Sequence, residues 1–145
     1  MKKILFDKII EGKIISVSRI CNLISIRIKS KSEEFVSLHI QSFFRITNST
    51  RVLVSSEDIY RPNSEHQEEF NWDVPGESIF DESINKYKKD LLQAKIQQVL
   101  VKITGDIDIF LDNGFIIQII IDTTISSEKY RIFDEMKEFV FVTGD

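Results

Sequence analysis

The chain has 145 residues, of which 42% are hydrophobic and 29% charged, and its formal net charge at pH 7 is −4. This length suits one domain that buries a core without disulfides, and the composition is that of an ordinary globular protein, neither disordered nor membranous. The negative charge argues against nucleic acid as a ligand, because phosphate binding requires a basic surface. We therefore expect one globular domain over residues 1–145 that binds no nucleic acid.

The N-terminus begins like a secretory signal, but Asp7, Lys8 and Glu11 interrupt its apolar run too early. No run approaches the ~20 apolar residues of a membrane helix. The lone Cys21 cannot form an internal disulfide, which suits a reducing compartment, and we interpret it as a buried thiol. These features predict a cytoplasmic protein without a membrane span.

The first half of the chain reads as a series of strands. Residues 4–11 are expected to form a short strand or turn that ends at Gly12. Alternating apolar and polar residues then predict strands over 14–20 and 23–29. Residues 35–47 are expected to form one strand that bends near Gln41-Ser42, and 51–55 returns the chain.

Between residues 57 and 82 the chain carries nine carboxylates and one arginine, and both prolines lie in this interval. Residues 56–76 lack periodicity, so we predict a long loop, and such loops inside compact domains are often functional. Phe70 and the single tryptophan, Trp72, indicate that part of the loop docks on the domain. We call residues 57–82 the acidic segment.

A helix is expected next. Ser78 followed by Asp81 resembles a capping box, and Phe80, Ile84, Tyr87 and Leu91 recur at helical spacing. This helix is predicted to pack on the sheet.

The most definite signal is a β-hairpin over residues 105–122, closed by Asp112-Asn113-Gly114. A three-residue loop with Gly114 in the left-handed region sets Ile109 opposite Ile117 and keeps one face apolar. The sequence therefore predicts this register rather than a two-residue loop.

The two halves of the chain resemble each other. Lys13-Ile14 aligns with Lys95-Ile96, the triplet 38–40 with 117–119, and 44–46 with 130–132. We interpret this as an internal repeat, residues 13–58 and 95–145, separated by an acidic loop plus helix at 59–94. The predicted fold is α+β and mostly β: two four-stranded antiparallel meanders forming a curved sheet or barrel-like core, with one inserted helix packed on it.

Residues that could carry chemistry are few. His39 could act as a general base, with Asp58 and Arg61 as partners in a hydrolase, although no motif supports this set. The pair Ser55-Ser56 lacks the glycine-rich turn of a catalytic serine and is read as a strand-end turn. The carboxylates of the acidic segment lack the spacing of a calcium-binding loop, and Asp106, Asp108 and Asp112 are interpreted as the solvated side of a strand. No metal and no cofactor are therefore expected. Arg45 and Arg131, which the two halves share, are expected to pair with acidic groups such as Asp58.

The stretches LHIQSFFRI, VLVSSEDIYRP, FNWDVPG, GDIDIFLDNGFIIQIIID and YRIF resemble a family of small uncharacterised bacterial proteins. Members show leucine-histidine-apolar-glutamine ending in aromatic-arginine-apolar, then tyrosine-arginine-proline, then a hairpin closing with tryptophan-arginine-leucine; Tyr130 replaces that tryptophan here. Some similar proteins lie among the immunity proteins that accompany bacterial toxins. The resemblance implies a bacterial cytosolic protein and supplies no catalytic residue.

The leading hypothesis is a non-enzymatic protein-binding module, with an immunity protein as one candidate, that docks a basic partner through the acidic segment. An acidic loop with no binding role is the alternative explanation for that segment. A homo-oligomeric structural protein, for example a homodimer, is the second hypothesis, because apolar strand edges need covering. A hydrolase is the third. The residues expected at the partner interface are Glu57, Asp58, Tyr60, Arg61, Glu65, Glu68, Glu69, Trp72 and Asp73.

Overall fold

Residues 2–143 form two antiparallel five-stranded sheets and two α-helices. A computed structural model describes residues 2–143, with side chains from residue 5 onward. The helices are α1 (Lys2–Lys8) and α2 (Ile79–Leu91), and a short 3-10 helix spans Ser56–Tyr60. The strands are β1 (Lys13–Ile20), β2 (Leu23–Lys29), β3 (Phe35–Ile40), β4 (Phe43–Thr47), β5 (Val52–Ser55), β6 (Ile96–Val101), β7 (Ile107–Leu111), β8 (Ile116–Ile120), β9 (Glu128–Phe133) and β10 (Glu138–Val142).

The two sheets exchange strands between the halves of the chain. One sheet has the order β1-β2-β3-β9-β10 and the other β5-β4-β8-β7-β6. Each half thus gives three consecutive strands to one sheet and a hairpin to the other. The mostly β, antiparallel prediction with one main helix is confirmed, whereas the barrel-like core is wrong, because the sheets are not closed into a barrel.

The predicted four strands per half are five in the structure. The expected bend near Gln41-Ser42 is the point where the chain leaves one sheet and enters the other, so 35–47 is two strands. Backbone N–H groups of both bend residues bond to the Lys129 carbonyl oxygen, at 2.8 and 3.0 Å. The sequence shows the interruption of the strand but not which strand each part pairs with, since that pairing is long-range.

The hairpin has the predicted register. Ile109 faces Ile117, Asp108 faces Gln118, and the Leu111 N–H donates to the Phe115 carbonyl at 2.9 Å. Gly114 has φ +87°. The predicted three-residue loop is therefore confirmed. Its register puts Ile107, Ile109 and Leu111 together on the buried face of the sheet.

The segment before β1 and the segment before β6 form equivalent hydrogen bonds with each other's strand. Lys13 bridges Lys95, and the Glu11 N–H bonds to Ile96 O at 2.7 Å as the Gln93 N–H bonds to Ile14 O at 2.8 Å. Glu11 and Gln93 share a left-handed backbone, with φ 67° and 69°. α2 therefore precedes β6 as α1 precedes β1, and the aligned lysines lie at the centre of a pseudo-twofold arrangement.

Three local expectations fare differently. Residues 4–11 are not a strand, because α1 runs to Lys8 and buries Leu5 and Phe6 in the core. Cys21 is exposed rather than buried, since it occupies the turn between β1 and β2 with φ 52°. The predicted capping box of α2 is present, with Ser78 and Asp81 bonded reciprocally.

Side chains from both sheets form one hydrophobic core, which α1 and α2 complete. Phe80 of α2 is 1% exposed and lies edge-on to Phe44, with ring centroids 6.4 Å apart. Phe6 of α1 lies edge-on to Tyr130 at 6.2 Å. The α2 helix contacts an edge strand of each sheet, β1 in one and β5 in the other. This position creates the surfaces described next.

Candidate functional site

Backbone and side-chain contacts near Pro62 and Ser78 hold the two ends of the acidic segment together; we call this region the neck of the segment. Pro62 and Ser78 form an antiparallel bridge, and Asn63 is only 6% exposed. The Asn63 side-chain amide donates to the Gly76 carbonyl at 2.8 Å, and its backbone N–H donates to the Glu77 carbonyl at 2.9 Å. The segment is therefore a closed loop with a defined base.

A buried ion pair ties the loop to β1. The Arg19 guanidinium donates to both carboxylate oxygens of Asp81, at 2.8 and 2.7 Å, and also to the Val74 and Cys21 carbonyls. Burial would raise the pKa of Asp81, but hydrogen bonds from Arg19, Ser78 and Gly76 outweigh it and hold the pKa below its usual value. Asp81 therefore remains charged and holds the preceding residues Gly76 and Ser78 beside β1.

Two aromatic side chains lie on the outer surface of the loop. Tyr60 is 47% exposed and Trp72 37% exposed, and their ring centroids are 5.1 Å apart. The Tyr60 hydroxyl accepts a bond from the Asn22 side chain at 3.3 Å. Trp72 thus docks on Tyr60 as part of an exposed pair, and Phe70 is half-buried nearby in sequence.

The carboxylates of the segment divide into two groups. Asp81 is paired with Arg19, Asp58 lies 3.4 Å from Arg61, Glu77 lies 3.9 Å from His66, and Glu82 accepts a bond from Ser64. Within residues 5–143, the other five make no side-chain ion pair or hydrogen bond and are exposed to solvent: Glu57, Glu65, Glu68, Glu69 and Asp73.

The structure brings some predicted site residues together and separates others. Glu65, Glu68 and Glu69 line one open depression of about 820 Å³, with His66 and Glu77. Glu57 and Tyr60 line a smaller cavity of about 110 Å³ that includes the buried Ser42 hydroxyl, which has no hydrogen-bond partner among the described residues. All nine predicted residues are on the segment, but they do not converge on a single pocket.

The hydrolase set is not assembled. His39 faces away from the core as predicted and lies edge-on to Phe133 at 5.0 Å. It shares a shallow cavity of about 290 Å³ with Arg131, Glu128 and Glu138. Asp58 and Arg61 pair with each other and do not line that cavity.

The two serines have structural roles. Ser55 caps the 3-10 helix, accepting from the Glu57 N–H at 3.3 Å, and the Ser56 hydroxyl accepts from the Phe44 N–H at 3.0 Å. These bonds explain a strand-end turn without any catalytic role.

The two shared arginines do not reach Asp58. Arg131 pairs with Glu128 at 2.7 Å and Glu138 at 2.9 Å. Arg45 donates to Gln118 at 2.6 Å, and Gln118 donates to Asp108 at 3.0 Å. Arg131 thus pairs with acidic groups as predicted, although Asp58 is not one of them. The same prediction is wrong for Arg45, because its neighbour across the strands is the amide of Gln118.

Asp108 is not the solvated residue that its alternation indicated, because it is only 9% exposed and also pairs with Lys102 at 3.4 Å. Together with Arg45 and Gln118 it forms a polar row across the outer face of β4, β8 and β7. The hairpin register predicts that Asp108 lies beside Gln118, but the sequence did not place Arg45 next to them, because that contact depends on β4 pairing with β8 across the halves.

A second surface was also missed: a cleft of about 440 Å³ between β1 and α2. The helical periodicity of 80–91 was visible in the sequence. That β1 is an edge strand beside this helix was not, because edge position depends on the order of the whole sheet.

Among residues 5–143, no cluster of three or more His, Cys, Asp or Glu side chains could hold a metal ion. No helix in the described part of the chain has the length and apolarity needed to cross a membrane. Comparison of the chain with protein-family models, with curated proteins and with solved structures found no match.

Proposed function

We propose that this chain is a non-enzymatic protein-binding module that docks on a basic partner through the acidic segment. The observation that carries the proposal is the exposed Tyr60–Trp72 pair on an anchored loop that also presents five unpaired carboxylates. Aromatic side chains of this kind supply most of the binding energy in many protein interfaces. The resemblance to immunity proteins favours a bacterial toxin with a basic surface as the partner.

The charge of the segment has a kinetic role in this proposal. Concentrated carboxylates accelerate encounter with an oppositely charged surface and lose that effect as salt screens them. The aromatic pair, in contrast, acts after encounter by excluding water. Charge is therefore expected to set the association rate, and Trp72 the dissociation rate.

Anchoring of the loop supports binding by a preformed surface. The Arg19–Asp81 ion pair and the Asn63 bonds hold the neck of the segment, so less conformational entropy is lost when a partner docks.

The test begins with capture of partners from a lysate of the source cells at low and high salt. A basic protein that is retained at low salt and released at high salt supports the proposal and identifies the partner. Its association rate is then measured with the Glu65→Gln/Glu68→Gln/Glu69→Gln variant at low ionic strength. We expect a slower association, and an unchanged rate would refute the proposed role of the segment.

A matched control removes three exposed carboxylates outside the segment: Asp90→Asn/Asp122→Asn/Glu135→Gln. It changes net charge equally, so it separates a local effect of the segment from a general one. Trp72→Ala tests the aromatic pair and is expected to raise the dissociation rate with little change in association.

A homo-oligomer is the second candidate, and one observation favours it. Each sheet edge strand carries an exposed apolar side chain: Ile20 on β1, Val52 on β5, Leu100 on β6 and Val142 on β10. Edge strands with such residues can pair with a second copy. Light scattering decides this, because a monomeric mass at high concentration would rule out self-assembly.

A further inference from the structure

The cleft between β1 and α2 has an unusual lining. On one side lie five consecutive residues of β1, Ile15 to Arg19, so the cleft meets both faces of the strand along its edge. On the other side lies one face of α2, spaced three and four residues apart. The helix side is formed by Phe80, Asp81, Ile84, Asn85, Lys88, Leu91 and the following Leu92, with Pro75 above.

Both ends of the cleft are closed by contacts between the strand and the helical segment. At one end Arg19 binds Asp81. At the other, Ile14 bonds through its N–H to the Ala94 carbonyl at 3.0 Å and through its carbonyl to the Gln93 N–H at 2.8 Å. Residues 15–18 lie between, a length of roughly 13 Å at the rise of a β-strand.

None of the described strands lies beside the edge of β1 between these ends. β1 is the first strand of its sheet. Among the described residues, the backbone of 15–18 makes hydrogen bonds only in the ladder with β2. Peptide groups on a free edge are a template for an added strand. The bonds at Ile14 show that the same edge accepts an antiparallel partner just before a β-bulge, which shifts the register with β2 between Ile14 and Ser16. The free edge proper therefore begins at Ser16.

The side chains of the cleft define the composition of such a strand. Ile15, Val17, Ile84 and Leu92 are half-buried and give the cleft its apolar surface, whereas Phe80 and Leu91 are 1% exposed and lie beneath it in the core. Arg19 and Asp81 neutralise each other, so neither attracts a charged ligand. Lys88 is exposed and makes no ion pair with any described residue, which leaves a cation at the rim. Apolar side chains are expected against α2, and acidic ones beside Lys88.

We propose that the cleft between β1 and α2 binds an extended peptide of about four residues, alternating apolar and acidic, by adding it as a strand to the edge of β1. This site is separate from the proposed docking of a basic partner on the acidic segment and does not depend on it. The two surfaces have opposite charge preference, so the same partner segment cannot satisfy both.

The test uses the full 15N-labelled chain and a capped hexapeptide of alternating valine and glutamate. Addition at millimolar concentration, where a weak complex is detectable, is expected to shift the amide resonances of residues 15–19 and 84–88. The absence of any shift there, or shifts confined to other regions, would overturn the proposal.

Two further peptides test the hydrogen bonds without changing the side chains. Each is N-methylated on alternate backbone nitrogens, one in each register. Only alternate N–H groups of an added strand face β1, so we expect one methylated peptide to bind and the other to fail. Equal binding of both would show that the cleft accepts an apolar ligand without strand addition, and the proposal would be wrong.

A charge exchange tests the rim. Lys88→Glu is exposed and is expected to leave the fold intact, to weaken the valine-glutamate peptide by about fivefold, and to favour a valine-lysine peptide instead. Lys89→Glu, one residue further and outside the cleft lining, serves as the control. Peptide affinity that changes equally in both variants would contradict a specific role for Lys88. Shifts at 15–19 that depend on protein concentration without peptide would identify a second copy as the occupant and overturn the proposal.

Discussion

At the scale of single residues, Arg19 and Asp81 form the contact on which the acidic segment depends. The Arg19 side chain is 2% exposed and Asp81 15% exposed, so removal of one partner leaves a charge in a poorly solvated site. Asp81→Asn should cost about 3 kcal/mol of unfolding free energy, measured by urea denaturation. It should also loosen the loop, because Gly76 and Ser78 bond to the same carboxylate.

An exposed ion pair of equal length provides the comparison. Glu11 and Lys31 are also 2.7 Å apart, but both are in solvent. Glu11→Gln should leave the urea midpoint almost unchanged, since water replaces the lost partner. A similar loss in both variants would show that burial is not what makes the Arg19 pair important.

Asp134 is expected to make stability depend on pH. Hydrogen bonds from Lys8, together with the N–H groups of Met136 and Lys137, lower the pKa of Asp134 to about 2. Because the folded pKa lies below the unfolded value of about 3.9, the stabilisation is complete above the unfolded pKa and is lost as pH falls through the folded one.

The measurement is urea unfolding of the parent and of Asp134→Asn between pH 6 and pH 2. The parent should be more stable at pH 6, and the difference should shrink steadily below about pH 4. A difference that stays constant over this range would mean that the Lys8 interaction does not depend on the charge of Asp134.

At the scale of elements, the turns before and after β7 differ in what surrounds their glycines. Gly105 has φ +97° and Gly114 φ +87°. A Cβ on Gly105 would overlap the ring of Phe141, whereas no atom of the described residues lies within 4 Å of a Cβ on Gly114. Phe141 cannot retreat easily, because it stacks on the buried Tyr130, whose hydroxyl donates to the Gly105 carbonyl.

Both substitutions to alanine carry the cost of a left-handed backbone, about 1 kcal/mol. Gly105→Ala adds the overlap, so its total should reach about 3 kcal/mol. Thermal or urea unfolding of the two variants checks this, and near-equal values would mean that the ring moves freely.

An element could be predicted when the residues that determine it are close together in the sequence. The hairpin register and the cap of α2 could be predicted because Asp112-Asn113-Gly114 and the Ser78–Asp81 pair act within a few residues. The interruption of the strand at Gln41-Ser42 could be predicted, but the passage of the chain from one sheet to the other could not. That passage depends on β3 pairing with β9 and β4 with β8, which lie in the other half of the chain. Of the site, the charge of the acidic segment was predictable; the Tyr60–Trp72 contact and the cleft beside β1 depend on tertiary arrangement.

At the scale of the whole molecule, neither sheet belongs to one half of the chain. β1, β2 and β3 pair with the β9–β10 hairpin of the second half, and β6, β7 and β8 pair with the β4–β5 hairpin of the first. The core is likewise shared, since Phe44 packs on Phe80 and Phe6 on Tyr130. Each half alone would expose the edge and the apolar face that the other half covers.

The full chain should therefore unfold in a single transition, with circular dichroism and tryptophan fluorescence giving the same midpoint. Fragments 1–72 and 73–145, each prepared alone, should lack the dispersed amide spectrum of a folded domain. Mixing them should restore it in part, because the strands of one sheet would then be available to each other. A first-half fragment that folded cooperatively by itself would contradict this, and would mean that three strands and a hairpin suffice without the exchanged partner.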